Sequence, residues 1–282
     1  MPIYTLAKYQ GMKRSPDALR RAGLLQNSKW SIMDYGDASL PALDKDVTEG
    51  RTKNLRNFIE ASETVARKVA GVGRTDLLLC IGGECSSTVG VIAGLTGLKG
   101  KLGVVWIDTH GDFNTPETSP SGYIGGMCLA MACGRGPMLG STVEGSMPLI
   151  DEQRLVHIGS RSLDPPEAEM MRASPMGLFI MKSVSLAGAP AVADRTVERL
   201  EGADSIVCHL DVDVLDPGTI PAVNYPSPGG MTIEEVIVII ARLAGTGKLK
   251  VVEVSAYNAD LDKDGSSAKA ITSLLRDSLA QL

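Results

Sequence analysis

Residues 106–114 read WIDTHGDFN and residues 209–217 read HLDVDVLDP. In the first run Asp108, His110 and Asp112 recur at two-residue intervals after an apolar stretch; in the second, Asp211 and Asp213 do the same. Side chains two apart in extended chain point the same way. Each run therefore turns its acids toward one face, provided the chain stays extended past the apolar residues. Carboxylates gathered in a partly dry cleft repel one another and are pushed toward the protonated form. Divalent cations offset that repulsion; carboxylates with one imidazole suit Mn2+ or Mg2+, and Zn2+ less typically. Four carboxylates exceed the needs of one catalytic ion, whereas two ions ~3.5–4 Å apart and sharing bridging aspartates fit the number of donors.

Such a pocket requires the two runs to end on neighbouring strands. Strands are expected at 3–8, 31–34, 77–81, 103–108, 154–158, 177–181, 205–211 and 250–254. Stretches such as LGVVWID and DLLLCIGG are apolar throughout, as strands of a parallel sheet covered on both faces are. Helical patterns occupy 53–72, 232–243 and 266–282; the second opens with Thr232 and Glu235 in capping-box spacing. Alternating strands and helices imply βαβ units with right-handed crossovers. We expect one domain over residues 1–282, a three-layer α/β/α sandwich around a mostly parallel sheet of about eight strands. Ligands in such sheets sit outside the carboxyl ends of the strands, where both acidic runs fall. Long loops at 114–125, 134–151 and 213–230 are suited to walling a site. AGTGK at 244–248 has Arg242 where a phosphate loop needs glycine and is read as a helix end, with Gly245 its stop.

The bulk numbers narrow the class. A chain of 282 residues that is 44% apolar can bury a sizeable core. Its net charge of -5 argues against a nucleic-acid surface, which needs a basic excess. MPIYTLAKYQ has no basic stretch leading into an apolar core, and no apolar run approaches the ~20 residues of a membrane span. Five cysteines, odd in number and without CxxC spacing, read as reduced thiols, so a cytoplasmic protein is expected. His157 lies inside an apolar strand and reads as core. His209 stands two before Asp211 and shares its face deeper in the sheet, a place suited to orienting a ligand from behind.

Ordered motifs across nearly the whole chain resemble those of the ureohydrolases, the arginase/agmatinase/formiminoglutamase family. The family signatures G-G-D-H-S, D-A-H-x-D, S-G-N-x-H-G and D-V-D-x-x-D-P correspond here to GGECS at 82–86, DTHGD at 108–112, SGYIGG at 121–126 and DVDVLDP at 211–217. IGSRSLDPPE at 158–167 and VVEVS at 251–255 follow the family order as well. The resemblance implies an arginase-like fold and a binuclear metal hydrolase that cuts a C–N bond in a guanidino, amidino or formimino compound, with the water held between the cations as nucleophile. It implies two Mn2+ ions bridged by Asp108 and Asp211, with Asp112 on the first and His110 and Asp213 on the second. It implies that Asp112 also relays a proton, that Glu253 pairs with a substrate guanidinium, and that Asp164 and Glu167 meet the substrate's other end. A homo-oligomer, trimer or hexamer, is implied too.

Two departures matter. Cys85 stands where the family has a histidine ligand, and Gly125 where it has the proton-shuttling histidine. As a thiolate, Cys85 could ligate and shift preference toward Zn2+ or Fe2+; as a neutral thiol it leaves the first site weak or empty. Tyr123, also expected to contact the substrate, or Tyr225 could stand in for the shuttle, although an unperturbed tyrosine, with a pKa of about 10, is a poor acid. The alternatives are a catalytically silent subunit of a hetero-oligomer and a single-metal amide deacetylase. The short D-P-P-E run that contains Asp164 and Glu167 also reads as a helix start.

Overall fold

The computed structural model describes residues 10–26, 30–40, 50–72, 76–95, 100–137 and 148–282. Six strands form one sheet in the order β1-β6-β5-β2-β3-β4. They are β1 (Leu78–Ile81), β2 (Leu102–Ile107), β3 (Leu155–Ile158), β4 (Gly177–Phe179), β5 (Ser205–Asp211) and β6 (Leu249–Ser255). Every ladder is parallel. Of the two other expected strands, 3–8 lies outside the described residues. Residues 31–34 form no strand: Met33 is 72% exposed, and Asp34 is held by Arg20 at the surface rather than by a ladder.

Helices cover both faces, the arrangement that all-parallel strands need in order to bury their two apolar sides. On one face Trp106, Val104, Val207, Val251 and Cys80 meet α2 (Leu55–Ala70), α3 (Ser86–Gly94) and α4 (Cys128–Ala132). On the other, Val105, Ile107, Cys208, Leu210 and Val252 meet α1 (Ser15–Arg21), α6 (Met181–Ala187), α7 (Ala189–Arg199), α8 (Ile233–Ala244) and α9 (Ser266–Ser278). Alternate residues of one strand serve opposite faces, the period of two that the sequence predicts. A short helix α5 (Pro165–Ala173) follows β3.

Local chemistry explains several boundaries. Thr232 and Glu235 form the expected capping box at the start of α8. That helix ends at Ala244 with Gly245 as its cap, but Gly245 keeps a right-handed φ of -61°. The left-handed residue of the turn is Gly247, at φ +70°, so the glycine that reverses the chain comes two positions later than expected. Helices α2 and α3 approach closely because Gly90 lacks a side chain: a Cβ there would lie 2.6 Å from Ser62 O.

Candidate metal centre

Asp108 follows β2 and Asp211 ends β5, and these strands are direct neighbours. Parity does the rest. Trp106, Asp108, His209 and Asp211 share a face because they are two apart along paired strands, in the register Trp106↔His209. The α3 amino terminus brings Cys85 to the same corner. Its Sγ lies 2.9 Å from Asp211 Oδ2 and 4.0 Å from Asp108 Oδ2.

Past the strand ends, backbone N–H groups pin the carboxylates. His110 N donates to Asp108 Oδ1 at 2.7 Å, and Asp213 N to Asp211 Oδ1 at 2.8 Å. These are turns in which an aspartate accepts from the residue two ahead. Trp106 Nε1 donates to Asp108 Oδ2 at 3.2 Å. His110 Nδ1 lies 3.2 Å from Asp213 Oδ2 and 3.6 Å from Asp108 Oδ1. Thr109 Oγ1 donates to Asp213 O, joining the two loops.

Among the described residues two groups of donors lie close enough to hold a cation each. Cys85, Asp108, His209 and Asp211 offer ligand atoms within 4.8 Å of one another, and so do Asp108, His110 and Asp213. Asp108 belongs to both groups. Asp211, expected to bridge, belongs only to the first, and Asp112 belongs to neither. At Asp112 the extended run breaks: its φ is +50°, a left-handed conformation that aspartate tolerates better than most side chains. Its Oδ2 meets Cys128 Sγ at 3.2 Å, and its carbonyl accepts from Leu129 N and Ala130 N of α4.

The electrostatics describe a site in need of positive charge. Burial and neighbouring carboxylates push Asp112, Asp211 and Asp213 toward the protonated form. Burial and the same acids push the Cys85 thiol well above its ordinary value. Burial works against the His110 imidazolium, but Asp108 and Asp213 outweigh it and lift its pKa to about 12. Burial opposes the Asp108 charge as well, and there the neighbouring His110 side chain prevails and holds the pKa below its usual value. Asp213 Oδ1 and His209 Nε2 are both buried without a hydrogen-bond partner, a cost that coordination would remove. Acidic oxygens, an imidazole and these two orphaned donor atoms fit divalent cations.

The remaining candidates lie around these two groups. Glu253, expected to face a substrate, has no solvent exposure. Ser87 Oγ donates to its Oε1, while Thr88 Oγ1 and His209 Nδ1 meet its Oε2, each at 2.7 Å. Asp164 and Glu167 form the capping box of α5, the helix-start reading of D-P-P-E. Glu167 is buried and accepts from Phe113 N at 2.9 Å, and Asp164 accepts from Asn114 Nδ2 at 3.0 Å; both brace the loop after Asp112. The Tyr123 ring lies against Gly125, where a Cβ would stand 2.5 Å from Tyr123 Cε1, so the phenol occupies space that a side chain at 125 would claim. Tyr225, 48% exposed, stands edge-on to His110 with ring centroids 6.2 Å apart. His157 is core, and burial lowers its pKa to about 4.

Two residues of the site had no role in the sequence reading. Arg161 donates to the carbonyls of Asp213, Val214, Ser227 and Pro228 and so fastens the 213–230 loop. Asp216, last acid of DVDVLDP, accepts from Gly218 N, Gly229 N and Gly230 N and closes the same loop. An arginine just past a strand end and a third aspartate before Pro-Gly were the available signals.

A parallel sheet layered by helices, with two donor groups sharing one aspartate at its carboxyl edge, defines a binuclear metal-dependent hydrolase. The model of the Arginase family matches residues 1–280. The arginase of Bacillus subtilis (strain 168) is 32% identical over 285 residues, covering 100% of this chain and 96% of its own. Arginase-1 of Homo sapiens is 34% identical over 264 residues, covering 90% and 81%. The solved structure of the Bacillus caldovelox arginase superposes with a TM-score of 0.90 at 33% identity, covering 100% of this chain and 96% of that one. The chain belongs to the arginase family, whose chemistry is hydrolysis of C–N bonds in amidino and guanidino compounds. Among the described residues no helix is long and apolar enough to cross a membrane.

Proposed function

We propose that the chain acts as one arginase-like domain that hydrolyses a small guanidino or amidino substrate, with arginine, named for the relatives' activity, first among the candidates. The observation that carries the reading is Asp108, whose two oxygens address both donor groups. Cys85 and Asp211 serve the first cation, and His110 and Asp213 the second. Two bound divalent cations would supply a water acidic enough to give up its proton near neutral pH. Asp108, held by His110 N and Trp106 Nε1, keeps its carboxylate oriented between the two groups. His110 would hold the second cation as the neutral imidazole, its proton lost to solvent as the cation's charge takes over the neutralising of Asp108 and Asp213. With cations bound, Asp112 would be held as the carboxylate; it would take the proton that the water gives up and pass it to the departing amine. Tyr225 beside His110 is the exposed hydroxyl at the mouth.

The all-oxygen-and-imidazole second group favours Mn2+; the sulfur of the first group tilts it toward Zn2+ or Fe2+. The family resemblance supports a homo-oligomer, trimer or hexamer, and a cytoplasmic location. The test is metal analysis with a product assay. Purified protein loaded with Mn2+ or Zn2+ should carry two ions per chain and release urea or ammonia from one of arginine, agmatine, guanidinobutyrate, guanidinopropionate or formiminoglutamate. A loaded protein with intact Asp108 and no metal after gel filtration would overturn the proposal.

A further inference from the structure

Within the binuclear reading, on which this rests, the first donor group has an imidazole after all. We propose that His209 is a ligand of the first cation through Nε2, with Glu253 the positioning residue that fixes its ring. The inference answers the loss at Cys85: the histidine that the resemblance leads one to expect at the start of α3 is supplied instead from β5.

Four observations converge. One ring nitrogen of His209 stands within 4.8 Å of ligand atoms from Cys85, Asp108 and Asp211. The ring has no solvent exposure, and its Nε2 has no hydrogen-bond partner among the described residues. Its other nitrogen is committed: Nδ1 lies 2.7 Å from Glu253 Oε2. An ionised carboxylate only accepts, so Nδ1 is the donor in this contact; Thr88 Oγ1, also 2.7 Å from Nδ1, gives its one proton to Glu253 Oε2 and leaves Nδ1 protonated. A neutral imidazole with its proton on Nδ1 keeps its lone pair on Nε2, the tautomer a metal ligand requires. Carboxylate–histidine–metal triads are built in this way.

The surroundings hold the ring still. Trp106 lies against it with ring centroids 3.8 Å apart and an interplanar angle of 34°. The same indole donates to Asp108, so one side chain sets both the histidine and the shared aspartate. Behind Glu253, Gly82 leaves room that a Cβ would take, since it would collide with Oε1. Ladder register fixes the rest, with Trp106↔His209 and His209↔Glu253 side by side across three strands. Both Glu253 oxygens are engaged within the protein, and the side chain has no solvent exposure, which suits it to holding the His209 ring.

Zinc alone is the probe. The full chain is labelled with 15N histidine and its ring nitrogens are followed by long-range proton–nitrogen correlation before and after Zn2+ loading, with bound zinc counted in parallel. With only three histidines, each ring is assignable by single substitution. We expect two zinc ions per chain, His209 Nε2 shifted into the coordinated range with Nδ1 still protonated, and His157 unmoved. His209→Gln should lose one site, and Glu253→Gln should weaken that site ~10–100-fold while leaving the other unchanged. Two zinc ions bound with His209 unmoved would overturn this inference and leave the binuclear reading standing. One zinc on His209 with His110 unmoved would keep the inference and overturn the binuclear reading. One zinc on His110 alone, or none, overturns both. The unsubstituted chain carries the decisive spectrum, so a variant that fails to fold does not protect the claim.

Discussion

Replacing Asp108 with asparagine should uncouple the protein's thermal stability from divalent metal at both donor groups together. A ligand that binds only the folded chain stabilises it by RT ln(1 + [L]/Kd), about 2.7 kcal/mol at a hundredfold excess over Kd. Two independent sites give roughly 5.4 kcal/mol. Unfolding entropy near 2.1 cal/mol/K per residue makes about 0.6 kcal/mol/K for 282 residues, so saturating metal should raise Tm by about 9 °C. Asp108 serves both groups, and its loss should abolish most of that rise. Asp213 serves only the second, so Asp213→Asn should keep about half of it, roughly 4–5 °C. The assay is differential scanning calorimetry of each variant with and without Mn2+ at one scan rate. Each variant is its own baseline, so a general loss of stability cancels. Asp108→Asn with a full metal-induced rise, or Asp213→Asn with none, would sink the shared-carboxylate geometry.

Other expectations follow from single contacts. In metal-free protein the Cys85 thiol should be alkylated by iodoacetamide at pH 7.5 more slowly than a free model thiol, because burial and the surrounding acids disfavour the thiolate; faster labelling contradicts that electrostatics. Burial raises Glu167 from 4.5 to about 6. The unfolded chain ionises first, so stability should fall by about 2 kcal/mol as pH rises through that window, and Glu167→Gln should flatten the slope in urea melts. Gly90→Ala would press a methyl into Ser62 O and Val65 and should cost ~1–3 kcal/mol by denaturant unfolding; an unchanged midpoint would mean that α2 and α3 do not meet there. Arg161→Ala frees four carbonyls of the 213–230 loop and should weaken metal retention at the second group more than at the first, measured by competition with a chromophoric chelator.

What could be read in the sequence was whatever depends on a period of two. Strand runs alternating with helices lead to the layered parallel sheet, and the spacing of Asp108 and Asp211 puts both at the carboxyl ends of strands that are neighbours. The same rule stops short of Asp112, where a left-handed residue ends the extended run and one carboxylate oxygen meets Cys128, while the carboxylate still acts on Cys85 and feels Asp108. Residues 31–34 have strand-like composition but pair with no strand among the described residues. The Glu253 assignment came by position from a motif, and the motif does not carry the neighbours. Here a histidine on the adjacent strand, with Ser87 and Thr88 of α3, claims both oxygens.

His209 shows most clearly why spacing along one strand is insufficient. Its distance of two from Asp211 is visible in the chain and allows only a supporting place deeper in the sheet. Its partner is decided across strands, by a β5–β6 ladder whose register shifts between Ile206 and Val207 before His209 and Glu253 come level. A shift of one residue flips a side chain to the opposite face. No local pattern in 205–211 or 249–255 announces that irregularity. A cation asks only that a donor atom stand in the right place, from whichever element supplies it. The loss of an imidazole at position 85 and the presence of one at position 209 are then two views of one site. Cys85 to Asp211 to His209 runs across the corner where α3, β5 and β2 meet, and Asp108 links that corner to the second group.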